Sequence, residues 1–186
     1  MNRRYTRTVL TGITLALLSF PATSTMAGNL TLSATDFARV LDPGGTSISR
    51  ILYRFELPDT LAIARVDRAL LRLPVTTDTV IQEFALLALP VGDNWTGGGA
   101  TLSFPDLEVV DSVSADYTGQ LSPGQTVEVD ITYLVKAWAS GQIDNKGMVI
   151  QSMTDEPEPM EIPGRLVFPA AGQVNLEVWF APSASR

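Results

Sequence analysis

The side chains best suited to chemistry fall into three groups. Trp95 stands beside Asp93 and Asn94 and is followed by Gly97-Gly98-Gly99. An aromatic face with carboxylate and amide neighbours suits a sugar ring, which stacks its apolar face and hydrogen-bonds at its rim. In so glycine-rich a loop, the ring either lies open for such stacking or folds back over a sheet edge to cover apolar surface. Arg54, Arg68 and Arg72 alternate with apolar residues and are interleaved with Glu56. Their forked guanidinium groups would clamp carboxylates of a ligand or, as is usual across antiparallel strands, pair with acidic neighbours. Asp155, Glu156, Glu158 and Glu161 form an acidic loop broken by Pro157 and Pro159. Several carboxylate oxygens would suit calcium, but the spacing matches no calcium loop, and acidic proline-broken runs usually stay in water. Asp155, Glu156 and Glu158 are the candidate metal ligands; no cofactor is otherwise implied.

Much chemistry is excluded outright. The chain contains neither His nor Cys, which removes the commonest general base, the commonest zinc ligand and every Ser-His-Asp arrangement. No pair of carboxylates can be named as acid and base of a hydrolase, and a non-catalytic protein is expected. Without Cys there are no disulfides.

Positioning these groups requires regular elements, and the clearest run from Val127 to Ser152, VEVDITYLVKAWASGQIDNKGMVIQS. Val127, Val129 and Ile131 alternate with Glu128 and Asp130, the period-two pattern of a strand with one buried face. Ile131, Leu134, Val135 and Trp138 then fall at helical spacing, with Asp130 placed to cap the start and Gly141 to end the helix. These four are predicted core residues, with Trp138 as the plug. Met148 to Ser152 resumes strand character. Elsewhere Leu30–Leu32, Ile51–Leu57, Val66–Val75, Asp106–Val113, Gly164–Phe168 and Val174–Phe180 read as strands, separated by turns at Asp42–Gly45, Gly92–Gly99 and Ser122–Gly124. The run IQEFALLAL from Ile81 fits a helix by periodicity; its flanks and its length of about nine favour a strand buried on both faces. Trp179 lies out of phase with Val178 and Phe180, on the outer face of its strand or under a loop. The pattern describes an all-β, jelly-roll-like antiparallel β-sandwich with one short α-helix.

The first residues, MNRRYTRT, are basic and lead into an apolar run from Val9 to Phe20, then Pro21 and small residues ending at Ala27. Residues 1–27 read as a secretory signal peptide and residues 28–186 as a single domain. The apolar run falls short of the ~20 residues of a membrane span, so no insertion is expected after cleavage. Loss of the leader takes three of the thirteen basic residues and none of the twenty acidic ones, leaving a net charge of −10. Such a surface argues against nucleic acid and anionic membrane.

The order ILYRFELPDTLAIARVDRALLRLPV, DNWTGGGATLSF, VEVDITYLVKAWASGQIDNKGMVIQS and LEVWF resembles the DNRLRE domain family, which is similar to disaggregatase-related, alginate-binding carbohydrate modules. The most specific piece is D-[IV]-T-x-L-V-x-x-W-x-x-G at Asp130 to Gly141. The resemblance implies a jelly-roll-like sandwich, non-catalytic, in secreted or cell-surface proteins. It fixes no ligand residues. The expected function is therefore a secreted or periplasmic module binding extracellular or cell-wall polysaccharide near Trp95, Asp93, Asn94, Arg54 and Arg72. The alternative is a self-associating cell-surface or matrix protein that adds strands at an open sheet edge.

Overall fold

The computed structural model describes residues 27–41, 48–75, 80–102, 115–152 and 171–182. Residues 1–26, the turn expected at Asp42–Gly45, the strands expected at Asp106–Val113 and Gly164–Phe168, and the acidic segment with Asp155, Glu156 and Glu158 lie outside them. Ten strands are described: β1 (Gly28–Ser33), β2 (Asp36–Leu41), β3 (Ile48–Arg54), β4 (Ala64–Pro74), β5 (Ile81–Pro90), β6 (Ala100–Leu102), β7 (Ala115–Leu121), β8 (Thr126–Asp130), β9 (Met148–Ser152) and β10 (Asn175–Pro182). One helix, α1 (Thr132–Ala139), joins β8 to β9.

The strands form two sheets, a four-stranded one in the order β1-β10-β4-β8 and a six-stranded one in the order β6-β2-β3-β9-β5-β7. The chain passes repeatedly between the layers, and the molecule is an all-β sandwich. All described pairs are antiparallel except β2 with β6, which run parallel. Between the layers the alternating residues interlock: Ile51 and Tyr53 of β3, Ala69, Leu71 and Leu73 of β4, Val127 and Val129 of β8, Met148 and Ile150 of β9, and Leu176 and Val178 of β10. Burial pushes the Tyr53 hydroxyl well above its ordinary value, and the Arg39 charge only partly opposes this.

The Ile81 run is a strand, as its flanks indicate. It lies between β9 and β7, with Phe84, Leu86 and Ala88 in the main core and Leu87 and Leu89 against a second cluster on the other face of the six-stranded sheet. Burial on both faces explains the absence of alternation.

Helix α1 closes one end of the core with Leu134, Val135 and Trp138, and Ile131 immediately before it is buried with them. The Ile131 side chain cannot cap; Asp130 does so instead, its Oδ1 accepting from the Thr132 N–H at 3.0 Å and the Thr132 hydroxyl at 2.6 Å. The same Thr132 oxygen accepts the Ala69 N–H at 2.8 Å, tying the helix start to β4. At the other end Gly141 takes φ +71°, the Gly141 N–H reaches the Trp138 carbonyl, and the Gln142 N–H reaches that of Ala137. This is the reciprocal pair of bonds that ends helices at a left-handed glycine. We expect Asp130→Ala to cost about 1 kcal/mol in denaturant melts, with the sandwich intact; a cost near zero would show that Thr132 positions itself.

Candidate functional site

Two of the five expected ligand residues, Trp95 and Arg54, do meet, but as a clasp. Trp95 is 8% exposed. Its ring lies in the second apolar cluster, with Ala38, Val40, Leu52, Leu89, Val91 and Val149, on the face of the six-stranded sheet turned away from the main core. Its Nε1 donates to the Lys146 carbonyl at 2.6 Å. The Lys146 ammonium in turn donates to the Gly92 carbonyl at 2.6 Å. Arg54, from the end of β3, sits over the Trp95 ring at 4.4 Å and donates to the Trp95 carbonyl at 3.2 Å. The loop is held further by Asp36, whose Oδ1 accepts the Gly98 N–H, and by the Val91 N–H on the Gly147 carbonyl.

These contacts correct the reading of Trp95 as an open stacking face. A ring this deep, with a guanidinium over it, has no face free for a sugar. Its surroundings gain more from burying the indole than solvent does from wetting it. Asp93 and Asn94 remain exposed at the rim. Arg72 is not part of this cluster at all, since β4 belongs to the other sheet. It lies between Glu128 at 2.7 Å and Glu177 at 2.9 Å, one on each neighbouring strand. The ordinary cross-strand reading therefore holds for Arg72. Such half-exposed pairs add little stability, on the order of 1 kcal/mol or less each. Asp155, Glu156 and Glu158 lie outside the described residues, and among those described no group of three acidic side chains could hold a metal ion.

A different surface gathers groups able to meet a ligand: the outward face of the four-stranded sheet. Strand register arranges it in three rows. Asn29, Trp179 and Arg68 form the first; Thr31, Glu177, Leu70 and Asp130 the second; Ser33, Asn175, Arg72 and Glu128 the third. Trp179 is half-buried, with the Arg68 guanidinium 5.8 Å from its ring centre. Arg68 is exposed and makes no ion pair among the described residues, in contrast to Arg72 and to Arg65, which pairs with Asp67 at 2.8 Å.

A backbone irregularity sets this first row apart. Trp179 faces Arg68, but the next residue, Phe180, faces Val66, so β4 carries one extra residue. Val66 and Ala69 are both in the core although three positions apart, and Asp67 and Arg68 are both exposed between them. A bulge of this kind turns two consecutive side chains to one face. Here it exposes Asp67 beside Arg68, and Arg68 stands opposite Trp179. Sequence reasoning placed Trp179 out of phase with the core but not among the ligand residues. The signal was present in Val66 and Ala69, which cannot both face inward on a regular strand.

Among the described residues this face offers hydrogen-bond donors and acceptors around one half-buried aromatic ring. Among the described residues no helix is long and apolar enough to cross a membrane. Comparison with known proteins adds no relative: no protein-family model matches the chain, and no curated protein matches it.

Proposed function

We propose that this protein is a secreted, non-catalytic carbohydrate-binding module of the DNRLRE type that holds extracellular or cell-wall polysaccharide on the outward face of its four-stranded sheet. The single observation that carries the reading is the first row of that face, Asn29, Trp179 and Arg68, where a bulge exposes Asp67 beside Arg68 and the Arg68 guanidinium lies 5.8 Å from the centre of the Trp179 ring. A half-exposed tryptophan with amide, carboxylate and guanidinium neighbours is suited to stack on a sugar ring and bond its hydroxyls. Secretion rests on the basic-then-apolar leader of residues 1–27. The non-catalytic assignment rests on the absence of His and Cys from the sequence and on the lack of a nameable acid–base pair. Binding on a sheet face is weak, and function depends on repeated contacts along a polymer.

Retention on a panel of insoluble polysaccharides, with and without calcium, tests this. At least one polymer should retain the protein, and Trp179→Ala should weaken that retention about tenfold, equivalent to ~1.4 kcal/mol. The melting temperature should barely change, because the ring lies outside the core. Equal elution from every polymer, or unchanged retention of the variant, would rule the reading out. A calcium requirement would direct attention to Asp155, Glu156 and Glu158.

A further inference from the structure

Among the described residues, β1 ends the four-stranded sheet and no strand pairs with its outer edge. The hydrogen-bond phase of that edge follows from the register. Ala34 lies opposite Val174, one step beyond Ser33 and Asn175, and the Ala34 N–H donates to the Val174 carbonyl at 2.9 Å. In an antiparallel ladder bonded residues alternate, so Leu32, Leu30 and Gly28 address β10. Asn29, Thr31 and Ser33 therefore turn their N–H and C=O groups to the open side. All three are exposed.

Open edges are normally protected by charge, proline, brevity or a bulge. The described edge strands follow this rule with one exception. β6 has three residues, β7 carries Asp116, and β8 carries Glu128 and Asp130. β1, Gly-Asn-Leu-Thr-Leu-Ser, has six residues, no charge, no proline and an unbroken register. Its Leu30 and Leu32 are only half-buried, although both pack on the main core.

We propose that this edge pairs with the same edge of a second copy, giving a two-fold dimer with one continuous eight-stranded sheet. A two-fold axis perpendicular to the sheet keeps each face on its own side and runs the two β1 strands antiparallel. Centred on Thr31, it sets Thr31 against Thr31 of the second copy, Asn29 against Ser33 and Leu30 against Leu32. Each opposed pair then matches in chemistry, hydroxyl with hydroxyl, amide with hydroxyl, leucine with leucine. The three edge-facing residues also oppose one another in phase, so that about six backbone bonds form across the axis. The leucines of both copies extend the apolar layer beneath. The two β1 edges cover each other, and the remaining ends of the joined sheet are the acidic β8 strands, so growth stops at two copies. The pairing holds whether or not the outward face binds a glycan.

The absence of Cys gives a clean test, because each introduced thiol is unique. In the dimer the two residues 31 lie about 5.5 Å apart, whereas the two residues 33 lie about 14 Å apart, by the bonded-pair spacing and four residues of strand rise. A thiol cross-linker whose reach lies between these distances should join Thr31→Cys into covalent dimers and leave Ser33→Cys as monomers. A chain beginning at Gly28 retains every described element and serves for the measurement. Light scattering on the unmodified chain should show the mass rising toward double with concentration, and Thr31→Lys, which sets two ammonium groups on the axis, should stay monomeric and melt at the temperature the unmodified chain shows when dilute enough to be monomeric. A monomer at every concentration, equal cross-linking at both positions, or a dimer that survives Thr31→Lys would overturn the proposal.

Discussion

Replacing Gly147 by alanine is expected to cost about 3 kcal/mol or more in stability, by combining a strained left-handed backbone with a steric clash. Gly147 has φ +98°. A Cβ there would stand 2.6 Å from the Tyr53 carbonyl oxygen and 3.3 Å from the Trp95 ring. The first contact is with backbone in β3 and cannot be relieved by a rotamer change. Moving Gly147 instead would disturb its carbonyl, which accepts the Val91 N–H, and its own N–H, which donates to Asn145 Oδ1 at 3.3 Å. Urea denaturation should show a lower midpoint with an unchanged slope. A loss below about 0.5 kcal/mol, the range of ordinary surface changes, would mean that the turn relaxes freely.

Trp95→Ala should be comparably severe, about 3–5 kcal/mol, the range for emptying a buried aromatic site. The indole fills the second apolar cluster, and its loss also removes the bond to the Lys146 carbonyl and the surface on which Arg54 rests. The contrast with Trp179→Ala is diagnostic. One tryptophan carries stability and the other, on the proposed function, carries binding. If calorimetry found Trp95→Ala as stable as the parent while glycan retention fell, the two assignments would have to be exchanged.

The sandwich was legible where a strand buries one face, because alternation then appears directly in β4, β8 and β10. The helix was legible from Ile131, Leu134, Val135 and Trp138, all of which are buried in the core. β2 escaped because it does not alternate in polarity: Ala38 and Val40 face the second cluster while Phe37 packs toward the first. β6 is too short to carry a period.

The site was less legible for a reason of topology. Arg54 and Arg72 have the same local pattern, yet β3 and β4 enter different sheets, and no periodicity within a strand encodes that choice. The depth of Trp95 is likewise set by residues from β2, β3, β5 and β9, spread over more than a hundred positions of the chain. A glycine-rich loop composition speaks only for the loop. Trp179 was easier to place, since its parity alone turned it outward.

The position of β10 governs when this molecule can acquire its shape. It lies between β1 and β4, joining residues 28–33 to residues 64–74 through residues 175–182. Gly28–Ser33 find their described neighbour only in residues 175–182, so the contact that closes this sheet joins segments far apart in the chain. Such distant pairing slows maturation, because the intervening chain must be ordered before these contacts repay its entropy. A chain cut ahead of residue 175 would leave β1 without its described partner and β4 paired with β8 alone.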